Sequence, residues 1–272
     1  MSCAQPLHAW YGAKRDPESG NFPITFHHST ADLDRPLDLP CNNCLSCKAD
    51  QSMMWSIRCY HELTEHDKAS FVTLTYDEEH LPKDNKLNKD HLRNFIKTLR
   101  KHYKIRYFAC GEYGDKNGRP HYHLIIFGED FKHLPLENPD GTYTSRKIQK
   151  HWNNKGNVVV APVTMASICY TCGYVSKKLD DKDTFNSMST RPGLGKKWLD
   201  KNIGDLMNHG FTVIDGRQYQ IPKRYLMWYE HELEHVKLDR AEHARINPRS
   251  TTDLINKNKA RIQKWKQRKR KL

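Results

Sequence analysis

Two histidines one residue apart, His121 and His123, lie in the run Arg119-Pro120-His121-Tyr122-His123-Leu124-Ile125-Ile126-Phe127. The run reads as a strand, and on a strand residues i and i+2 share a face. The two imidazoles would then stand side by side, able to share one metal ion, while Tyr122 and Leu124 point the other way. Upstream, Cys110-Gly111-Glu112-Tyr113 ends a second strand-like run, and Gly114-Asp115-Lys116-Asn117-Gly118 has the composition of a turn. A hairpin through that turn would carry Glu112 to the histidine pair. Two imidazoles and one carboxylate leave coordination positions open for phosphate oxygens. Two unrelated histidines on an exposed strand face would leave the same trace.

A second group lies in Tyr170-Thr171-Cys172-Gly173-Tyr174-Val175-Ser176-Lys177-Lys178. On a helix Tyr170 and Tyr174 are i and i+4 and share a face. Lys177 falls on that face at i+7 from Tyr170, and Lys178 at i+4 from Tyr174. A phenol ionises near pH ~10 and is a poor nucleophile at neutral pH. A neighbouring ammonium would favour the phenolate and could bind a scissile phosphate. Two tyrosines within reach of one metal would allow two successive transesterifications. A pair of core aromatics with snorkelling lysines has the same pattern.

Cys41, Cys44 and Cys47 form a C-x2-C-x2-C run, one ligand short of a tetrahedral zinc site. Cys3, Cys59 or His61 could supply the fourth, making Cys3, Cys41, Cys44 and Cys47 a candidate structural zinc set; reduced cysteines packed at a helix start would read alike. Cys169 and Cys172 are expected to pack and not to bind metal.

The elements that must position these groups follow from periodicity. A helix is expected from about Cys44 to His66 and a strand at Phe71-Val72-Thr73-Leu74-Thr75-Tyr76. Asn88 can cap a helix over Lys89–His102, where Leu92, Phe95, Ile96 and Leu99 form one apolar face. Strands follow at Ile105–Glu112 and His121–Phe127, with a further one at Asn157–Val160. Strand, helix, strand, turn, strand is the start of a ferredoxin-like or RRM-like sheet. Met165–Leu179 reads as a helix and Tyr225–Arg245 as another. Residues 1–40, with five prolines, read as loops apart from a short strand at Ile24–His27, and residues 181–222 read as loop-rich.

The 272 residues carry a net charge of +13. Residues 257–272 hold nine Lys or Arg and no acid, leaving +4 for the rest. Such a tail suits a polyanion, because each phosphate neutralised releases counterions; it would also serve as a solvated solubility tail. Mean hydropathy is −0.88, and there is no apolar run of membrane-spanning length. The N-terminus lacks the pattern of a signal peptide, so a cytoplasmic protein with reduced cysteines is expected.

Taken together, the histidine pair and the tyrosine helix resemble the HUH endonuclease superfamily, in which two histidines flank a bulky residue, here Tyr122. The closer resemblance is to replication initiators of the gokushovirus branch of the Microviridae, small phages with single-stranded DNA. It is carried by Pro40-Cys41-Asn42-Asn43-Cys44, by Phe71 to Pro82, by Gly111-Glu112-Tyr113-Gly114, and by Arg119 to His123. It continues through the two-tyrosine helix, Arg191-Pro192-Gly193-Leu194-Gly195 and Ile221-Pro222-Lys223-Arg224-Tyr225, and covers about residues 40–230.

The resemblance implies an α+β fold: an HUH-type ferredoxin/RRM-like antiparallel sheet with flanking helices, a cysteine-containing N-terminal segment and a basic C-terminal tail. Its expected divisions are residues 1–66, an endonuclease core at 67–245, and a tail at 246–272. It implies His121, His123 and Glu112 as ligands of Mg²⁺ or Mn²⁺, Tyr170 and Tyr174 as nucleophiles, and Lys177 as their lysine one turn on. Thr73 and Thr75 would help position DNA, with Lys178 as a further phosphate contact. The implied activity is nicking and rejoining of single-stranded DNA at a phage origin through a 5′-phosphotyrosine, for rolling-circle replication in the cytoplasm of an infected bacterium. The partners would be origin DNA and host helicase and polymerase, with no membrane. An HUH transposase or plasmid initiator would share the chemistry. A non-catalytic, zinc-containing DNA-binding protein would share only the cysteines and the tail.

Overall fold

The computed structural model describes residues 3, 5–114, 117–131, 136–137, 141–177, 183–247 and 250–270. In chain order the strands and helices are β1 Leu7–Gly12, β2 Ile24–Thr25, β3 Ala31–Leu39, α1 Leu45–Leu63, β4 Ala69–Thr75, α2 Lys89–Arg100, β5 Arg106–Tyr113 and β6 Pro120–Phe127. They continue with β7 Leu136–Glu137, β8 Tyr143–Thr144, α3 Arg146–His151, β9 Val158–Ala161, α4 Met165–Lys177 and β10 Phe185–Met188. The last are α5 Lys196–His209, β11 Phe211–Ile214, β12 Arg217–Gln220, α6 Lys223–Trp228, α7 Glu234–Ile246 and α8 Thr251–Arg270. The chain divides into two compact units, residues 51–243 and residues 1–50 with 244–272.

The larger unit is built on a seven-stranded sheet in the order β10-β5-β6-β4-β9-β8-β7, antiparallel at every pairing. Alternation along its central strands sends residues to two different cores. Val72 and Leu74 of β4 and Tyr122, Leu124 and Ile126 of β6 pack with Leu92, Phe95, Ile96 and Leu99 of α2 and with Trp152. On the opposite face Phe108, Ile125 and Phe127 pack with Cys59 of α1, Ile168 and Cys172 of α4, and Leu194. Asn88 caps α2, its side chain accepting from the N–H groups of Asp90 and His91. Tyr122 secures that cap from the sheet: its hydroxyl accepts from Asn88 N–H and donates to Asn88 C=O, both at 2.9 Å.

A third cluster joins Leu199 and Leu206 of α5 to Ile221, Tyr225, Leu233 and Val236. His61 of α1 reaches it, stacked on Trp198 with ring centroids 3.5 Å apart. Its two ring nitrogens each lie 3.1 Å from a hydroxyl, of Tyr225 and of Thr212. Burial drives the His61 pKa down to about 3, so the ring is neutral.

The smaller unit differs from expectation. Residues 1–40 are not mainly loops: β1 pairs with both β2 and β3 in a three-stranded antiparallel sheet, and β2 is only two residues long. Most side chains of these strands are exposed, so hydrophobic alternation is weak, and Pro36 sits in an edge strand, where a missing N–H is tolerated. The basic tail is helical, as its straight-chain Lys, Arg and Gln residues favour. In the larger unit, the segment read as loop-rich holds β10, α5 and the β11–β12 hairpin. The helix expected over Tyr225–Arg245 is two, α6 and α7, and Leu233 between them enters the third cluster.

Candidate functional site

The three central strands β5, β6 and β4 lie side by side with β6 in the middle, and their register builds the site. Glu112 is opposite His121, and Cys110 opposite His123, across β5–β6. Thr75 is opposite His121, and Thr73 opposite His123, across β4–β6. Because side chains alternate, Phe71, Thr73, Glu112, His121 and His123 all project toward the face that α4 covers. Ligand atoms of Glu112, His121 and His123 all lie within 4.8 Å of one another. His121 Nε2 is 2.9 Å, and His123 Nε2 3.0 Å, from Glu112 Oε1.

The other ring nitrogens determine what this cluster can hold. His121 Nδ1 lies 3.1 Å from the Arg119 carbonyl oxygen, which can only accept, so Nδ1 carries the proton. In a neutral ring Nε2 then presents a lone pair to a carboxylate oxygen, an arrangement that requires a cation between or a protonated ring. His123 Nδ1 lies 3.0 Å from the Thr73 hydroxyl, leaving its Nε2 facing the same carboxylate. Burial pushes the Glu112 carboxyl up, but its contacts with His121 and His123 outweigh this and hold it below the usual carboxylate value. A buried carboxylate and two imidazoles with oriented second nitrogens suit a divalent cation.

Tyr170, on α4, stands over this cluster. Its ring meets His123 edge-on at 5.1 Å between centroids and Phe71 at 6.3 Å, and it is 44% exposed, so solvent and a substrate can reach the phenol. Phe71 in turn stacks on the His123 ring, 5.7 Å away and 8° from parallel. Tyr174 and Lys177 belong to the same helix. The side chains of residues 174–177 and all of Lys178 lie outside the described residues. The Thr75 hydroxyl donates to the Asn157 carbonyl, tying β4 to the segment before β9.

Two participants and one role escape the sequence reading. Phe71 packs against His123, the Arg119 carbonyl orients His121, and Thr73, expected only at DNA, orients the His123 ring. The signal for Phe71 and Thr73 is present in their period-2 alternation with Val72 and Leu74. The Arg119 contact depends on the backbone path at the end of the hairpin turn and has no residue-type signature.

The cysteines form a second group. Sulfurs of Cys3, Cys41, Cys44 and Cys47 lie within 4.8 Å of one another, so Cys3 is the fourth member. Cys59 and His61 are engaged elsewhere: Cys59 meets Cys172, with 3.9 Å between sulfurs, and His61 supports the third cluster. Cys172 packs in the second core, as expected. Among the described residues these two sets are the groups of three or more residues able to hold a metal.

A His-x-His strand between a glutamate strand and a threonine strand, covered by a tyrosine-bearing helix, defines an HUH-type α+β protein. The chain belongs to the replication-associated protein ORF2 family, whose model matches residues 69–179, from β4 through α4. It is 32% identical over 256 residues to replication-associated protein VP4 of Bdellovibrio phage phiMH2K, covering 85% of this chain and 78% of that one. It is 29% identical to replication-associated protein ORF2 of Spiroplasma virus 4 (94% and 93% covered) and 33% identical to replication-associated protein ORF4 of Chlamydia phage 1 (75% and 56% covered). No solved structure gives a significant match. No described helix is long and apolar enough to cross a membrane.

Proposed function

We propose that this chain is a replication initiation endonuclease that nicks and rejoins single-stranded DNA at a phage origin. The observation that carries the reading is the convergence of Glu112, His121 and His123 beneath the exposed ring of Tyr170. Membership of a replication-associated family supports the purpose; the site supports the chemistry.

Glu112, His121 and His123 would hold Mg²⁺ or Mn²⁺, which when bound would polarise the scissile phosphate and offset its charge. Tyr170 or Tyr174 attacks phosphorus. The phenol gives up its proton, a Tyr–O–P bond forms, the P–O3′ bond breaks, and the departing 3′ oxygen takes up a proton. A 5′-phosphotyrosine and a free 3′-OH result. Host polymerase extends that 3′ end, and a later attack of a 3′-OH on a phosphotyrosine reseals a circle. Each step exchanges one phosphodiester for another, so no nucleotide hydrolysis is needed. Lys177 and Lys178 fit phosphate binding, Lys177 on the face that carries the tyrosines. Two tyrosines distinguish this reading from transposases that use one. The setting would be the cytoplasm of an infected bacterium, with host helicase and polymerase as partners.

The test is incubation of the protein with labelled single-stranded origin DNA and Mn²⁺ or EDTA, resolved on a denaturing gel. A metal-dependent, protease-sensitive adduct is expected, absent from the Tyr170→Phe, Tyr174→Phe double variant. An adduct that survives both changes sinks the nucleophile assignment. Tight binding without cleavage across several origin sequences would support a DNA-binding protein instead.

A further inference from the structure

We propose that Cys3, Cys41, Cys44 and Cys47 bind one zinc ion in a four-thiolate structural site that ties the N-terminal sheet to the start of α1 and secures the docking of the basic helix α8. This goes beyond the nuclease reading and does not depend on it.

The first argument is metric. Cys41 and Cys47 sulfurs are 4.0 Å apart, and Cys3 and Cys44 sulfurs 3.9 Å. With Zn–S bonds of about 2.3 Å, a regular tetrahedron has S···S edges of about 3.8 Å. A disulfide would bring two sulfurs to about 2.05 Å, and all four cysteines are free thiols. The mutual limit of 4.8 Å suits a single ion. An iron–sulfur cluster needs room for several irons and sulfides between its thiolates.

The second argument is that the backbone is arranged for thiolates. Cys41 N–H donates to Cys3 Sγ at 3.3 Å, Cys44 N–H to Cys41 Sγ at 3.3 Å, and Cys47 N–H to Cys44 Sγ at 3.5 Å. Four thiolates on Zn²⁺ leave a charge of −2, which such donors spread. Asn42 adopts a left-handed conformation, φ 57°, which curls the chain between Cys41 and Cys44. Cys44 and Cys47 flank the N-terminus of α1, where the helix dipole favours anions.

The third argument is topological. Leu7 at the start of β1 pairs with Leu39 at the end of β3, so the chain leaving β3 at Cys41 passes Cys3. Cys3 and Cys47 are buried, yet none of the four cysteines joins any of the three hydrophobic clusters, so apolar packing does not account for them. Ser46, between two ligands, meets α8: its hydroxyl donates to Asn258 Oδ1 at 3.3 Å, and its carbonyl accepts from Arg261 at 3.5 Å. Arg261 also approaches Asp50 at 3.6 Å. Loss of the ion should therefore loosen α8.

The experiment uses the full chain, purified without a metal-affinity tag in reducing buffer. Elemental analysis should find one zinc per chain. Exchange for Co²⁺ should give thiolate-to-cobalt charge-transfer absorption. Cys41→Ser with Cys44→Ser should abolish both, while His121→Ala with His123→Ala should keep both, which separates this site from the other. Chelation should expose α8 to limited proteolysis. If the double cysteine variant fails to fold, the cobalt spectrum of the wild-type chain decides. A folded wild-type chain with no zinc and no cobalt–thiolate band, or one holding iron and inorganic sulfide, overturns the proposal.

Discussion

The Thr73 hydroxyl lies 3.0 Å from Nδ1 of His123, across the imidazole from the Nε2 that faces Glu112. Thr73 therefore acts on any ion in the cluster through the ring it orients. Thr73→Val keeps the branched shape on β4 and removes the contact. Mn²⁺ affinity, measured by calorimetry, should fall roughly 10–100-fold, the usual cost of losing such an outer partner. Thr73→Ser should recover most of it. An unchanged affinity in the valine variant would reduce Thr73 to a sheet residue.

Tyr122, between the two histidines, has a role opposite to theirs. Its hydroxyl meets both backbone groups of Asn88 and lies 2.9 Å from the Tyr76 hydroxyl. Tyr122→Phe leaves a buried N–H without its acceptor, which costs about 1–3 kcal/mol. Urea unfolding should show that loss, with Mn²⁺ affinity retained. A parallel fall in metal affinity would mean that the cap of α2 and the ion site are coupled.

Those two residues also show what the chain made legible. Alternation in Phe71–Tyr76 and His121–Phe127 predicts both faces of the sheet, and the Gly114–Gly118 turn brings Glu112 into register with His121. The apolar i, i+3, i+4, i+7 face and Asn88 cap predict α2 almost to the residue. What failed has a common cause. The strands of the N-terminal sheet bury too little for alternation to emerge from a proline-rich, polar stretch. α5 did carry a signal, Leu199, Ile203 and Leu206 at i, i+4, i+7, but the turn at Arg191–Gly195 masked its start. The break between α6 and α7 has no glycine or proline and is imposed by packing around Leu233. Cys3 as the fourth thiol depends on strand pairing, which spacing alone does not reveal.

His61 makes the fold acid-sensitive. Burial holds its pKa near 3 in the folded chain, against an ordinary value near 6.5 when unfolded. Below about pH 6.5 the unfolded chain binds a proton that the folded chain does not, so stability from this group is intact above that pH and is lost as pH falls toward 3. The slope contributed is at most about 1.4 kcal/mol per pH unit. His61→Gln should lower stability at neutral pH and flatten its decline between pH 6.5 and 4, as read from denaturant midpoints. An unaltered slope would place the acid sensitivity in other groups.

The tail prediction concerns salt. Residues 257–272 carry nine cationic residues, more than half of the net charge. Lys264→Gln, Lys266→Gln, Arg268→Gln and Lys269→Gln together leave the Asn258 and Arg261 contacts with Ser46 in place. If these four residues meet phosphate, each substitution should reduce the slope of log affinity against log salt by about 0.7 on single strands, or by up to about 3 in all. Fluorescence anisotropy across a salt series measures this directly. The weakening should be the same on origin and scrambled DNA, because phosphate contacts carry no sequence information. A weakening confined to origin DNA would instead assign the tail a part in reading sequence, and an unchanged slope would show that α8 keeps clear of the strand.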